Sequence, residues 1–238
     1  MRRGIDFHAH IIPGADHGCA ASDEAARQLI MMNQAGIATV VATPHFYPAQ
    51  HEVEDFLARV DFGMERLLTK LPPEAPRLYL GAEVLLCPNL HKMPGFEKLC
   101  IRGTRVMLLE LPFTGCNDAL FETVQEILER EYTVVLAHID RYIKAYGDQI
   151  HALLDMGALA QINASSLNGW LARKRMLPYL KDQRVVAFGS DLHREDADAM
   201  AAYAALQKLP DDLFSRICER TAELLTEAVE IKSNAKKA

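Results

Sequence analysis

Cysteine is scarce and unpatterned: five in 238 residues (Cys19, Cys87, Cys100, Cys116 and Cys218), an odd number with no CxxC pair. Such spacing argues against a disulfide framework and is that of free thiols in a reducing cytoplasm. None lies in a glycine-rich, Arg-terminated loop of the kind cysteine phosphatases use to hold phosphate, so a thiolate nucleophile has little support. Long apolar runs are missing too. The opening MRRGIDFHAHIIPG carries two arginines, but Asp6, His8 and His10 interrupt any signal core, so the chain reads as soluble, unexported and without membrane insertion. Positive charge is not in excess. A net charge of -6 argues against general nucleic-acid binding, while bound metals would add charge that residue counting misses. No internal repeat or low-complexity stretch divides the chain, and its length suits one domain, residues 1–238, with a full core.

What is present is alternation. Short β-rich runs at residues 4–8, 37–42, 77–83, 105–111, 133–138, 159–163 and 185–190 alternate with amphipathic stretches at 22–35, 51–70, 118–130, 150–156 and 170–182. Ser22 reads as a helix cap, Gly36 and Gly157 as helix stops. The tail from Asp196 reads as two or three helices, with residues beyond about 230, ending in Lys236-Lys237-Ala238, expected to fray. About seven strands in parallel βα units predict an α/β fold, a closed or nearly closed barrel.

Nearly every strand ends in a side chain that can bind metal. The endings are His8-Ala9-His10, Thr43-Pro44-His45, Gly81-Ala82-Glu83, Leu109-Glu110-Leu111, Ala137-His138 and Ser190-Asp191-Leu192-His193. Strand C-termini of a parallel barrel share one rim, and residues i and i+2 project to one side, so these groups converge. Each has a bland alternative: Glu83 or Glu110 paired with Arg105, Asp191 as a helix cap, His45 or His138 as a satisfied loop histidine. Six strand ends carrying ligand residues independently is the weaker explanation. His51, His91 and His151 lie away from strand ends and receive no role. His17 follows the first strand closely enough to reach the rim; Asp16 is either the ligand in its place or its orienting partner. Asp6, deeper on the first strand, reads as a buried hydrogen-bonding support.

In this order, His-x-His, a His/Asp loop position, Thr-Pro-His, Gly-x-Glu-Val, Leu-Glu-Leu-Pro, His-x-x-Arg and Ser-Asp-x-His, the series resembles the polymerase-and-histidinol-phosphatase (PHP) superfamily. Within it the chain is most similar to the bacterial CpsB/CapC type of manganese-dependent protein-tyrosine phosphatase of capsule and exopolysaccharide clusters; DFHAHIIPGADHG and QINASSLNG carry this narrower likeness. The resemblance implies a distorted (β/α)7, TIM-like barrel with up to three divalent ions, manganese (Mn2+) foremost and zinc, iron or magnesium as alternatives. It assigns His8, His10, Glu83 and Asp191 to a first ion. Glu83 bridges to a second, with Glu110 and His138, and His17, His45 and His193 hold a third. The subfamily usually has Asp where His17 stands, and a neutral imidazole there favours softer ions such as zinc. Arg141 matches the family's phosphate-contacting arginine. A second arginine has no clear match, since Asp196 and Asp198 occupy that stretch, and Arg194 is the nearest substitute. The implied reaction is hydrolysis of phosphotyrosine by a metal-bridging hydroxide, with Arg141 on the phosphoryl group and a metal-linked His193 near the leaving phenolate, whose pKa of about 10 demands little acid help. The implied partner is a phosphorylated protein, possible candidates being the tyrosine kinases of polysaccharide export; relatives can also form oligomers. The competing readings are a histidinol-phosphate-type small-molecule phosphatase, an amidohydrolase and a metal-free scaffold.

Overall fold

The computed structural model describes residues 2–194 and 197–232, with backbone only at 197–199. Asp196, the side chain of Asp198 and the residues 233–238 expected to fray lie outside that description. The parallel strands are β1 (Gly4–Ala9), β2 (Ile37–Ala42), β3 (His45–Phe46), β4 (Arg77–Leu80), β5 (Glu83–Leu85), β6 (Val106–Glu110), β7 (Thr133–Leu136), β8 (Leu159–Asn163) and β9 (Val185–Gly189). Helices α1 (Ser22–Gln34), α2 (Val53–Leu68), α3 (Asp118–Glu129), α4 (Ile143–Asp155), α5 (Trp170–Lys181), α6 (Ala197–Leu206) and α7 (Asp211–Leu224) accompany them.

Nine strand segments reduce to seven strand positions. One sheet runs β1-β2-β4 and the other β3-β5-β6-β7-β8-β9. Two strand positions break midway, at Thr43-Pro44 and at Gly81-Ala82. Proline restricts the residue before it to extended backbone and has no N–H to offer the ladder, so β2 stops and resumes as β3. Hydrogen bonds from Gly81 N to Ala42 O (2.9 Å) and Glu83 N to Pro44 O (3.1 Å) carry the pairing across the gap. The run read as one strand over 77–83 is thus β4 and the start of β5, with Glu83 opening the second piece.

The seam closes between the first and last strands. Ala9 bridges Leu192 in parallel; Asp191 N donates to His8 O (2.8 Å) and His10 N to Leu192 O (2.9 Å). A compact apolar cluster including Phe7, Val41, Tyr79, Val106, Leu108, Val135 and Ala187 draws on strands all round the ring and so fills the barrel interior. A larger cluster, with Leu29, Phe56, Ile127, Leu153 and Ile217, packs the helices outside. At the far side Val229 N bonds Arg102 O and Ile231 N bonds Leu78 O, tying the segment after α7 to the barrel.

Two local expectations are corrected. Ser22 is the first residue of α1 and not its cap; Ala21 holds the cap position, with no side-chain hydrogen bond. Helix α4 starts at Ile143, seven residues before the predicted 150; a kink at Tyr146 (φ -137, ψ 32) beside Gly147 breaks the periodicity of its first turns. The β1–β2 register shifts between Asp6 and Ala9, and His8 and His10 still project together. Gly36 (φ 94) does end α1 in the left-handed region.

Gly189 ends β9 against the histidines. A Cβ there would stand 2.5 Å from Gln161 Nε2 and 2.6 Å from His8 Cβ. Gly189→Ala is therefore expected to destabilise the fold by about 1–3 kcal/mol through overpacking. A thermal melt would show this as a Tm lower by roughly 2–10 °C.

Candidate metal centre

The strand ends deliver their side chains to one buried cage. His8, His10, Glu83 and His138 are fully buried, and His45 and Glu110 nearly so. Glu83 stands at the centre. Its Oε1 lies 2.7 Å from His138 Nε2, and its Oε2 lies 2.8 Å from His45 Nδ1, 3.2 Å from His8 Nε2 and 3.3 Å from His10 Nε2. Asp191 Oδ1 approaches His10 Nε2 at 3.2 Å, and Glu110 Oε1 is 3.9 Å from His138 Nε2.

Supporting groups fix which ring nitrogen faces inward. Asp16 Oδ2 accepts from His10 Nδ1 (2.7 Å), Gln161 Oε1 faces His8 Nδ1 (3.2 Å), and Asp191 O accepts from His193 Nδ1 (2.9 Å). With Nδ1 donating outward, each Nε2 presents a lone pair to the cage. Asp16 therefore orients His10 and, through His45 N (2.9 Å), the β3 turn; it does not orient His17. Asp6 accepts from His8 N, Ser190 N and the Tyr203 hydroxyl (2.6 Å), binding β1 to the end of β9 and to α6.

Two further ligand candidates are aimed by unusual backbone. His138 (φ 29) and Asp191 (φ 56) occupy the positive-φ region that non-glycine residues seldom adopt. At His138 the main chain leaves β7, while its N–H is held by Gln161 Oε1 at 2.7 Å. Asp191 Oδ2 accepts from Arg141, with Asn163 Nδ2 at 3.4 Å.

The cage chemistry fits divalent cations. Three sets of ligand atoms each lie within 4.8 Å of one another: His8, His10, Glu83 and Asp191; His45, Glu83 and Glu110; and His10, His45 and His193. His8 Nε2 and His10 Nε2 face each other at 3.1 Å, as His193 Nε2 and His45 Nε2 do at 3.3 Å. Such facing nitrogens need a proton or a metal ion between them, and with both rings of a pair neutral and Nε2 inward a metal ion is what satisfies them. His45 Nδ1, Glu83 Oε2 and Asp191 Oδ1 are buried inside the cage without a hydrogen bond of good geometry, as expected of atoms directed at a shared ion.

Electrostatics agree. Burial would raise Glu83, but His8 and the other histidines outweigh it and hold the carboxyl well below its ordinary range. Burial, then the neighbouring Glu83, pushes Glu110 up to about 7. His193 is pushed down to about 4 by burial and by His10, and remains neutral. Without an ion, the carboxylates therefore take their compensating positive charge from His8 and His10, which they hold above the ordinary imidazole range. The bland alternatives fall away: Arg105 bonds Glu131 O at the barrel's other end, and Asp191 precedes α6 by six residues. His17 belongs to none of the three sets; its exposed ring stacks on His45 (4.7 Å) and His193 (4.8 Å). His51 accepts from Tyr47 N, His151 stacks on Tyr179, and His91 sits by α3, all outside the cage.

Above the cage opens a cleft of about 440 Å³ lined by His17, His45, Tyr47, Glu110, Phe113, Arg141, His193 and Arg194. Arg194 and Arg141 thus face the same space. Among the described residues no lysine lines the cleft, unlike the bridging lysine of an amidohydrolase centre. Burial raises all five thiols, Cys116 and Cys19 to about 11 and Cys100 to about 12, so none is poised as a nucleophile. Sequence reading missed Tyr47, Phe113, Gln161 and Asn163. Gln161 and Asn163 stand in QINASSLNG and, two apart on β8, carried a readable signal; Tyr47 and Phe113 carried none.

The sequence profile of the family described as capsular polysaccharide synthesis, CpsB/CapC, matches residues 4–224. The chain belongs to the CpsB/CapC family. Among its relatives, the tyrosine-protein phosphatase YwqE of Bacillus subtilis (strain 168) is 25% identical over 235 residues, 95% of this chain and 90% of its own. A structure from work on YwqE of B. subtilis and CpsB of Streptococcus pneumoniae, described as unique metal-dependent tyrosine phosphatases, superposes with TM-score 0.75. It is 20% identical and covers 98% of this chain and 100% of its own. A TatD-like protein from Archaeoglobus fulgidus shares the fold more distantly, with TM-score 0.60 and 12% identity over 93% of this chain and 99% of its own. CpsB/CapC membership and the shared barrel agree with the α/β reading of the strand pattern. No helix among the described residues is long and apolar enough to cross a membrane.

Proposed function

We propose that this protein is a metal-dependent protein-tyrosine phosphatase that hydrolyses phosphotyrosine directly, without a phosphoenzyme. One observation carries the reading: three carboxylates and six histidines converge at the floor of a cleft that Arg141 and Arg194 share. The names of the YwqE and CpsB relatives support the same activity.

In this reading His8, His10, Glu83 and Asp191 hold one ion, Glu83, Glu110, His45 and His138 surround a second, and His10, His17, His45 and His193 border a third. Manganese is the favoured ion. Bound ions supply a water ionised near neutral pH and Lewis-acid stabilisation of the phosphoryl oxygens. The chain's own residues do the rest. Arg141 donates to the phosphoryl oxygens while Asp191 fixes its guanidinium. Asp16 and Gln161 keep His10 and His8 in the tautomer that turns Nε2 inward. His193, part-exposed on the cleft, stands beside the leaving phenolate. The substrate is a phosphorylated protein, and a tyrosine kinase of polysaccharide export fits the family's association with capsule synthesis.

Chelator-stripped protein is expected to lose turnover of a phosphotyrosine peptide and to regain it with manganese, more than with zinc or magnesium. Turnover of histidinol phosphate with none of the peptide would overturn the substrate assignment. A covalent phosphoenzyme trapped in a single turnover would overturn direct hydrolysis.

A further inference from the structure

Phe113 is 72% exposed on the wall of the cleft, which is an unfavourable place for a large apolar ring. It is not there through slack. The loop from Leu111 to Cys116 is braced by four hydrogen bonds from the segment that follows the short turn Ile139–Arg141 and runs into α4. The Tyr142 hydroxyl donates to Leu111 O (2.7 Å) and the Tyr146 hydroxyl to Phe113 O (2.8 Å). Gln149 accepts from Cys116 N (2.7 Å) and donates to Cys116 O (3.1 Å). Gly115, in the left-handed region, closes the turn with its N–H on Pro112 O, packed so tightly that a Cβ would meet the Tyr146 ring at 2.8 Å. The Phe113 ring is tilted against Tyr142 at 5.8 Å, and Tyr142 in turn lies 5.8 Å from the cage residue His138. A rigid loop thus presents one aromatic face to the cleft, referenced to the metal cage through a buried tyrosine.

The cleft has a second aromatic member. Tyr47 stacks on His45 at 5.1 Å and lines the same cleft. The cations Arg141 and Arg194 and the cage account for a phosphoryl group; they do not account for an exposed phenylalanine. An apolar planar group next to the phosphate does.

Resting on the phosphatase reading above, we propose that Phe113 is the substrate-positioning platform that holds the aryl ring of the phosphate ester, and that it sets the preference for aryl over alkyl phosphates. Ring stacking and burial on Phe113 add binding that a seryl or glyceryl phosphate cannot gain. Since Phe113 touches the ring and not the phosphoryl group, its contribution falls on KM more than on kcat.

The test uses manganese-loaded full-length protein and the variants Phe113→Ala and Phe113→Trp. Phe113→Ala is expected to raise KM for phenyl phosphate and phosphotyrosine about 10- to 100-fold, with kcat within about 3-fold. KM for phosphoserine should stay unchanged, and Phe113→Trp should keep the aryl preference. Calorimetric titration with phenylphosphonate and methylphosphonate measures the same preference without hydrolysis: the wild type should bind the phenyl compound about 10-fold or more tightly than the methyl one, and Phe113→Ala should bind both alike. Equal affinities in the wild type, or a preference that survives Phe113→Ala, would overturn the proposal. Absence of wild-type turnover alongside an intact binding preference would overturn the phosphatase reading and leave the platform standing. Equal melting temperatures of wild type and Phe113→Ala separate either outcome from misfolding.

Discussion

Glu83→Gln is expected to cost at least about 1,000-fold in turnover and to lower bound metal in the purified protein. Among the described residues no other carboxylate touches so much of the cage: four histidine nitrogens lie within 3.3 Å of its two oxygens. The substitution is nearly isosteric, so its effect is electrical and directional. It removes one of the three negative charges that attract the ions, and it turns an amide NH2 toward nitrogens that are themselves held as lone-pair donors. Metal content by elemental analysis, measured with kcat on the same preparation, checks both parts. Undiminished metal with activity within about 10-fold of wild type would refute the central position of Glu83.

Arg141→Ala should behave differently: a fall of about 100- to 1,000-fold in kcat/KM with metal content unchanged. Arg141 lies on the short turn after His138, with its side chain partly exposed to the cleft and its guanidinium on Asp191. It can therefore reach a phosphoryl oxygen while Asp191 limits its rotamers. Arg141→Lys keeps the charge and loses the planar fork, and should recover only part of the loss. Loss of metal in Arg141→Ala would mean that the residue serves the cage and not the substrate.

The residues of the cage were legible because strand ends are legible. Parallel βα units place their C-termini on one rim, so a His, Asp or Glu at each end converges without any knowledge of loops. His8, His10, His45, Glu83, Glu110, His138, Asp191 and His193 follow this logic. How the members group did not follow from it. His10 and His45 reach further across the cage than the strand order suggests, and His138 sits on Glu83 at 2.7 Å but 3.9 Å from Glu110. These distances are set by the positive φ of His138 and Asp191 and by the shifted register of β1, backbone choices that neither periodicity nor residue type encodes. Likewise Asp16 was visible as a polar loop residue, but its attachment to His10 depends on how the turn ending at Gly18 folds back. Phe113 looked like one more apolar residue after a strand, and only its exposure on the cleft distinguishes it.

The barrel seam has a consequence for biosynthesis. His8 and His10 stand on the first barrel strand in chain order, and the strand that closes on them ends at Gly189, with Asp191 and His193 just beyond. Both edges of the seam are tied by backbone hydrogen bonds at the level of the ligands, so closing the barrel and bringing Asp191 and His193 to the cage are one structural step. A chain cut before Asp191 therefore leaves the β1 edge unpaired on that side and the ligand set incomplete, so the cage is completed only after the last strand has been made.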